Sequence, residues 1–156
     1  CFLVLFLFLY FCNKIYLMKL SKEQLLSKIN EVCKGNLMET LSIEFIEASE
    51  DIVVAKMPVK ESVHQPDGVL HGGATVALAE TVGSFAAILK IDTNTHYVRG
   101  INISANHVKS ISHGFVYAAA KSVHSGRTTQ TFDIEVTNEK GELISTCRLT
   151  TITLPK

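Results

Sequence analysis

One acidic side chain stands alone in a long uncharged stretch of the sequence. Between residues 72 and 89, Glu80 is the only charged residue. Burying a carboxylate among apolar side chains is costly unless it is paired, hydrogen-bonded or used in chemistry. If the stretch is helical, Ser84 lies one turn later and Thr81 is adjacent, which makes a small polar spot. Two interpretations stay open: Glu80 faces solvent or a structural partner, or it acts as a general base or nucleophile.

A second group of candidates lies just upstream, where His71-Gly72-Gly73 begins the same stretch. The first turn of a helix exposes free backbone N–H groups and a partial positive charge, and glycine allows a ligand to approach closely. Such an end can serve as an oxyanion hole, and Gln65 adds an amide donor from the preceding loop. The structural alternative is that the glycines permit a sharp turn, with Gln65 and His71 as ordinary loop residues.

The spacing of these candidates predicts more than one subunit. Nine residues separate His71 from Glu80, which is about 13.5 Å along a helix. Both residues therefore cannot reach one small reacting centre from the same chain. If they cooperate, a homodimer with antiparallel helices would bring Glu80 of one chain to the His71-Gly72 end of the other, twice, by two-fold symmetry.

The elements that position these residues follow from hydrophobic patterning. The stretch after Gly72 is apolar on every side of a helix, which is typical of a buried helix. Ser21-Lys22-Glu23-Gln24 is a capping box that predicts a short outer helix ending near Gly35. Two strands are expected between residues 41 and 57, and four more over residues 98–108, 115–123, 131–137 and 142–154. We therefore expect an α+β domain in which one antiparallel sheet wraps around a long buried helix.

Composition and charge exclude several classes of protein. The chain has 156 residues, 47% of them hydrophobic, with 15 basic and 15 acidic side chains. This size predicts one domain, and the balanced charge argues against nucleic-acid binding. The four cysteines and six histidines are scattered without metal-ligand spacing, so we expect no metal site and a reducing compartment.

The first 17 residues differ from the rest of the chain. Fifteen of them are apolar, and only Asn13 and Lys14 interrupt them. A membrane span needs about 20 apolar residues, and a secretory signal needs a positive start and a small-residue cleavage site. We favour Met18 as the natural start, with residues 1–17 outside the fold and residues 18–156 as a single domain. A genuine membrane anchor is the alternative.

The segment HQPDGVLHGGATVALAETVGS, residues 64–84, resembles the hot-dog-fold acyl-CoA thioesterases. The similarity is to the branch of 1,4-dihydroxy-2-naphthoyl-CoA thioesterase, of menaquinone biosynthesis, and the glutamate-dependent 4-hydroxybenzoyl-CoA thioesterases. It continues through GINISANH at 100–107, SGR at 125–127 and CRLT at 147–150. The family fold wraps a sheet around a long helix, and its active site lies between subunits of a homodimer, often within a dimer of dimers.

The resemblance implies a role for each candidate residue. Glu80 matches the catalytic carboxylate. Gln65 and the backbone N–H of Gly72 match the groups that polarise the thioester carbonyl. His71 matches a loop histidine that orients the thioester or assists the leaving thiolate, and Ser84 matches a position that holds the water or the carboxylate. Whether Glu80 attacks the carbonyl itself or activates water stays open.

The resemblance also implies where coenzyme A binds. Four residues match family positions near the nucleotide: Asn106, His107, Lys109 and Arg127. The alternative for each is an ordinary solvated side chain. The implied substrate is an aromatic or medium-length acyl-CoA, hydrolysed in the cytoplasm without a metal or cofactor.

Two other functions on the same fold compete with hydrolysis. A non-catalytic module that binds acyl ligands would not need Glu80 opposite an oxyanion hole. Glu80→Gln separates these hypotheses, because a binding module would keep its affinity whereas an enzyme would lose turnover. A hydratase is the weaker alternative, because the expected Asp/His pair is missing.

Overall fold

The computed structural model describes residues 20–156, which form three α-helices, a 3-10 turn at Glu61–Val63 and six strands. The predictions for residues 1–17 and for a start at Met18 lie outside the described residues. The helices are α1 Lys22–Val32, α2 Leu37–Thr40 and α3 Gly72–Ile88. The strands are β1 Glu44–Ala48, β2 Ile52–Pro58, β3 His96–His107, β4 Phe115–Ser125, β5 Thr129–Asn138 and β6 Leu143–Pro155.

All six strands join one antiparallel sheet in the order β1-β2-β4-β5-β6-β3. The strands alternate between buried and exposed residues, so one face of the sheet is apolar and α3 packs against it. The core between helix and sheet contains Leu78 and Val82 of α3 and, from the strands, Phe45, Phe132 and Leu149. The predicted α+β hot-dog architecture, a sheet wrapped around a long central helix, is confirmed.

The helix α1 begins at the predicted capping box. The Ser21 hydroxyl accepts from the backbone N–H of Gln24, and the Gln24 side chain accepts from the backbone N–H of Ser21. Near the other end of α1, the Asn30 side chain is bonded to the backbone of Phe45 in β1, as donor at 2.9 Å and acceptor at 2.8 Å. This helix therefore covers the edge of the sheet at β1.

The other edge of the sheet, β3, is open. Within the described residues β3 has one neighbouring strand, β6, although it is 12 residues long. A bulge interrupts the pairing between Gly100 and Asn102, and Ile101 at the bulge is 56% exposed. A long unpaired edge leaves backbone donors and acceptors free to pair with another strand.

The central helix is buried on one side only. The side that faces the sheet is buried, whereas residues 76, 77, 81 and 84 are half-buried and Glu80 is exposed. The expectation of a helix buried all around is therefore wrong for a single chain. The sheet curves around one side of the helix, and residues 20–156 provide no second layer for the rest. Among these residues, no helix is long and apolar enough to cross a membrane.

Candidate active site

The N-terminal end of α3 is capped by His71. The Nδ1 atom of its ring accepts a hydrogen bond from the backbone N–H of Gly73 at 2.8 Å. An acceptor nitrogen carries no proton, so the neutral ring holds its hydrogen on Nε2. The His71 side chain thus satisfies one free amide of the first turn and leaves the Nε2–H able to donate to a ligand.

The loop before α3 places Gln65 beside this helix end. Backbone bonds close the loop, from the Gln65 N–H to the Val69 carbonyl at 2.9 Å and from the His71 N–H to the Val63 carbonyl at 2.9 Å. Gln65 is half-buried as a residue, and its side-chain amide donates to Asp67 at 3.0 Å. Gln65 and Gly72 line the same open pocket, of about 250 Å³.

Two of the predicted CoA-binding residues, His107 and Lys109, line this pocket as well. The imidazole of His107 packs against Gly72, where a Cβ would lie only 2.8 Å from Nε2. A larger residue than glycine would therefore displace either the ring or the start of the helix. The structure brings together one set of residues, which we call the donor half-site: Gln65, His71, Gly72, His107 and Lys109.

The charge of Lys109 is partly met by Glu142. The ammonium of Lys109 lies 2.6 Å from the Glu142 carboxylate, and both side chains are about half exposed. The hydrogen bond from Lys109, together with one from Asn138, lowers the pKa of Glu142. Such an exposed pair is weak, so a phosphate group could replace Glu142 as the partner of Lys109.

Glu80 lies far from the donor half-site of its own chain. Eight residues separate it from Gly72, which is about 12 Å along the helix. Its carboxylate instead lies against β3, where a Cβ on Gly100 would be 2.9 Å from Oε1. Within residues 20–156 it has no hydrogen-bond or ion-pair partner, and Ser84 follows one turn later on the same side of α3.

Arg127 lies at the same end of the sheet as Gly100. It belongs to the turn between β4 and β5, and the strand register aligns that turn with Gly100 through Gln130 and Thr151. Gly100 and His107 are seven residues apart on β3, or about 23 Å. The second set of residues, which we call the carboxylate half-site, is therefore separate from the first: Glu80, Ser84, Gly100 and Arg127.

Asn106 does not join either half-site. Neighbouring residues on a strand point to opposite faces of a sheet, and Asn106 faces away from α3 while His107 faces toward it. Its side chain lines a groove on the outer face beside Arg148, which forms two hydrogen bonds to Asp133. The assignment of Asn106 to coenzyme A stays a prediction.

Sequence reasoning did not single out three residues that shape the site. Gly100 accommodates the Glu80 carboxylate, Asp67 accepts from Gln65, and Glu142 pairs with Lys109. The turn sequence Gln65-Pro66-Asp67-Gly68 could have indicated Asp67, because residues two apart in a tight turn lie close together. Gly100 and Glu142 carry no local signal, because strand register and helix packing determine their neighbours. Among the described residues, no group of His, Cys, Asp and Glu could hold a metal ion.

Comparison with known proteins decides the family. Residues 67–145 match the family model of the thioesterase superfamily. The chain belongs to the thioesterase superfamily. It is 41% identical over 129 residues to the 1,4-dihydroxy-2-naphthoyl-CoA hydrolase of Escherichia coli, covering 83% of this chain and 94% of that protein. It is 39% identical over 130 residues to the proofreading thioesterase EntH of Cronobacter turicensis, again covering 83% of this chain and 94% of that protein.

The fold of this thioesterase matches solved structures in the same way. A crystal structure of a mutant of thioesterase PA1618 from Pseudomonas aeruginosa superimposes with a TM-score of 0.82 at 37% identity. The match covers 84% of this chain and 94% of that chain. The prediction of a thioester hydrolase with the hot-dog fold is confirmed.

Proposed function

We propose that this thioesterase hydrolyses acyl-CoA thioesters with aromatic or medium-length acyl groups, at a site shared between two copies of the chain. The observation that carries the proposal is the division of the site between the two half-sites at separate positions along α3. The first specific substrate to consider is 1,4-dihydroxy-2-naphthoyl-CoA, for which the Escherichia coli relative is named.

The chemistry follows from the residue types. The amide of Gln65 and the backbone N–H of Gly72 donate to the thioester oxygen and stabilise the negative charge that develops there. Glu80 removes a proton from water, whose oxygen attacks the carbonyl carbon, or its own carboxylate attacks and water then hydrolyses the anhydride. In both routes the carbon–sulfur bond breaks and coenzyme A leaves as the thiolate. The Nε2–H of His71 is available to that sulfur or to the thioester.

Two open surfaces of the chain meet where Glu80 lies. The half-covered side of α3 adjoins the open edge β3, because the Glu80 carboxylate packs over Gly100. A second copy paired along β3 about a two-fold axis would cover both surfaces and place its own α3 antiparallel to the first. Glu80 of each copy would then face the Gln65 and Gly72 donors of the other. We further propose that two such dimers associate into a dimer of dimers.

The same pairing accounts for the separated candidates for coenzyme A. His107 and Lys109 belong to the donor half-site, and Arg127 belongs to the carboxylate half-site about 23 Å away in the same chain. In the proposed dimer, Arg127 of one copy approaches the pocket of the other, where it could bind a phosphate together with Lys109. We place the enzyme in the cytoplasm, where the free thiols of Cys33 and Cys147 stay reduced.

Release of free thiol tests the reaction. The chain and its Glu80→Ala variant are assayed with benzoyl-, phenylacetyl-, 1,4-dihydroxy-2-naphthoyl- and hexanoyl-CoA. We expect turnover that falls by about 10²- to 10⁴-fold in the variant. The ranking of the substrates shows which acyl groups the pocket prefers. A folded chain that turns over none of these thioesters would contradict the proposed substrate class.

Mixing of inactive variants tests the shared site. The Glu80→Ala and Gln65→Ala proteins, each expected to keep at most about 1% of the normal activity, are unfolded together and refolded as a mixture. In a hybrid dimer, one of the two sites receives both intact residues, so a statistical mixture should recover about a quarter of the normal activity. A mixture of Glu80→Ala with Glu80→Gln is the matched control, because every site in every hybrid then lacks the carboxylate. No recovery in the first mixture would exclude a shared site.

A further inference from the structure

We propose that Asp67 is a positioning residue that fixes which end of the Gln65 amide faces the thioester carbonyl. The inference rests on the proposed function, because it takes Gln65 as a donor to that carbonyl. A glutamine amide carries a donor and an acceptor on nearly symmetric arms, and only the nitrogen stabilises an oxyanion. A group that selects the orientation therefore affects the rate without touching the substrate.

The backbone sets Gln65 and Asp67 close together independently of their side chains. Residues 65–68 form a tight turn in which the Gly68 N–H donates to the Gln65 carbonyl at 3.0 Å. Pro66 restricts the backbone at the second position of the turn. The next residues are also fixed, because the Leu70 N–H donates to the Ile111 carbonyl at 2.8 Å. The loop thus holds Gln65 at the pocket and Asp67 within hydrogen-bond distance of its side chain.

The contact between the two side chains selects one amide orientation. The Nε2 of Gln65 donates to Oδ2 of Asp67 at 3.0 Å. A carboxylate only accepts hydrogen bonds, so the amide oxygen cannot take the place of the nitrogen at this contact. The amide nitrogen has two hydrogens, and one of them stays available for the thioester oxygen. Without Asp67, the amide could also present its oxygen, which would repel the developing negative charge.

The negative charge of Asp67 repels a developing oxyanion and so opposes the effect of orienting Gln65, but this repulsion is weak. Asp67 is exposed to solvent, and water screens its effect on an oxyanion in the pocket. The hydrogen bond to Gln65 is direct and immobilises a flexible side chain, which corresponds to about 3- to 10-fold in rate. The orienting effect is therefore the larger one.

Steady-state thiol release with the best CoA substrate tests the proposal in Asp67→Asn and Asp67→Ala. Asparagine suits the turn but can present either a donor or an acceptor to Gln65, so it does not select the orientation. We expect kcat to fall about 3- to 10-fold in both variants, with KM changed less than about twofold. An unchanged or increased kcat in an active enzyme would overturn the role of Asp67 and leave the proposed function intact. An inactive unmodified chain would overturn both.

A double-mutant cycle separates positioning from a structural effect. In the Gln65→Ala background, the residual activity should not change when Asp67 is also replaced by alanine. An equal loss in both backgrounds would show that Asp67 acts on the fold, and would overturn the proposal. Glu61→Ala is the matched control, because it removes another exposed carboxylate from the same connection between β2 and α3. If kcat falls as much in this control as in Asp67→Ala, the effect comes from the loss of a negative charge, and the proposal is overturned.

Discussion

The donor half-site is held together inside one chain, whereas the carboxylate half-site is open. His71 caps its own helix, His107 packs against Gly72, and the loop of Gln65 is closed by backbone bonds. Glu80, by contrast, rests on a glycine of an edge strand and has no polar partner among residues 20–156. The chain therefore preorganises the groups that we propose to stabilise the oxyanion, whereas the proposed catalytic carboxylate has no polar neighbour within residues 20–156.

The largest effect is expected from Glu80→Gln, which keeps the shape of the side chain and removes its basicity. Loss of a positioned base or nucleophile should lower kcat by about 10²- to 10⁴-fold. Because the donor half-site is untouched, the affinity for a non-hydrolysable acyl-CoA analogue should stay within about threefold. Thiol release and calorimetric titration measure the two quantities. A variant that keeps full turnover would exclude Glu80 as the catalytic carboxylate.

Gly72→Ala should have the next largest effect, because the new Cβ would lie 2.8 Å from Nε2 of His107. Displacement of the helix start by a fraction of an ångström moves the backbone donor, and we expect about a 10²-fold loss in kcat. His107→Ala should relieve the collision, so the double variant should be more active than Gly72→Ala alone. If the second substitution restores nothing, the packing of His107 on Gly72 is not what makes glycine necessary.

Gly100→Ala is the matching test of the carboxylate half-site. Its Cβ would lie 2.9 Å from Oε1 of Glu80, but a side-chain carboxylate moves more easily than a helix start. We therefore expect about a 10-fold loss in kcat with little change in KM, and no further loss in the Glu80→Ala background. A loss as large in that background would show that Gly100 matters for the sheet edge rather than for Glu80.

The smallest effect is expected on the outer face of the sheet, which neither half-site uses. The hydrogen bonds from Arg148 lower the pKa of Asp133. The ionised carboxylate therefore stabilises the fold at pH values above its ordinary pKa of about 3.9, and this contribution is lost as the pH falls from there through the lowered pKa. Both side chains are about half exposed, so Asp133→Asn should lower Tm at pH 7 by no more than about 4 °C. In thermal unfolding, the difference in Tm between the unmodified chain and Asp133→Asn should be smaller at pH 3 than at pH 7. The turnover of the variant should equal that of the unmodified chain. A large loss of turnover in Asp133→Asn would mean that the outer face of the sheet takes part in the active site.

The parts of the fold that depend on local pattern were predictable from the sequence. The capping box at Ser21, the long helix after Gly72 and the alternating strand of residues 131–137 all lie where their patterns place them. The short helix Leu37–Thr40 and the turn Glu61–Val63 were not predicted, because three or four residues are too few to show a period.

The arrangement of the candidate site was only partly predictable. Helix spacing alone separates His71 from Glu80, but the placement of Arg127 and His107 at opposite ends of β3 depends on the register of four strands. The exposure of Glu80 was one of two interpretations that the sequence left open, and the partial exposure of its neighbours on the same side of α3 was missed. Apolar residues on every side of α3 indicate that each side packs against another protein surface. The pattern does not say whether that surface belongs to the same chain.

The open edge β3 also has a consequence for how the protein behaves at different concentrations. The backbone groups of β3 that point away from β6, together with the exposed Ile101, are a template for any extended segment, including those of unfolding neighbours. In the proposed dimer, each copy blocks this template on the other, and mass action makes Tm rise with protein concentration. Resistance to aggregation and completion of the active site then depend on the same surface, so a substitution that weakens pairing along β3 would cost the cell soluble protein as well as turnover.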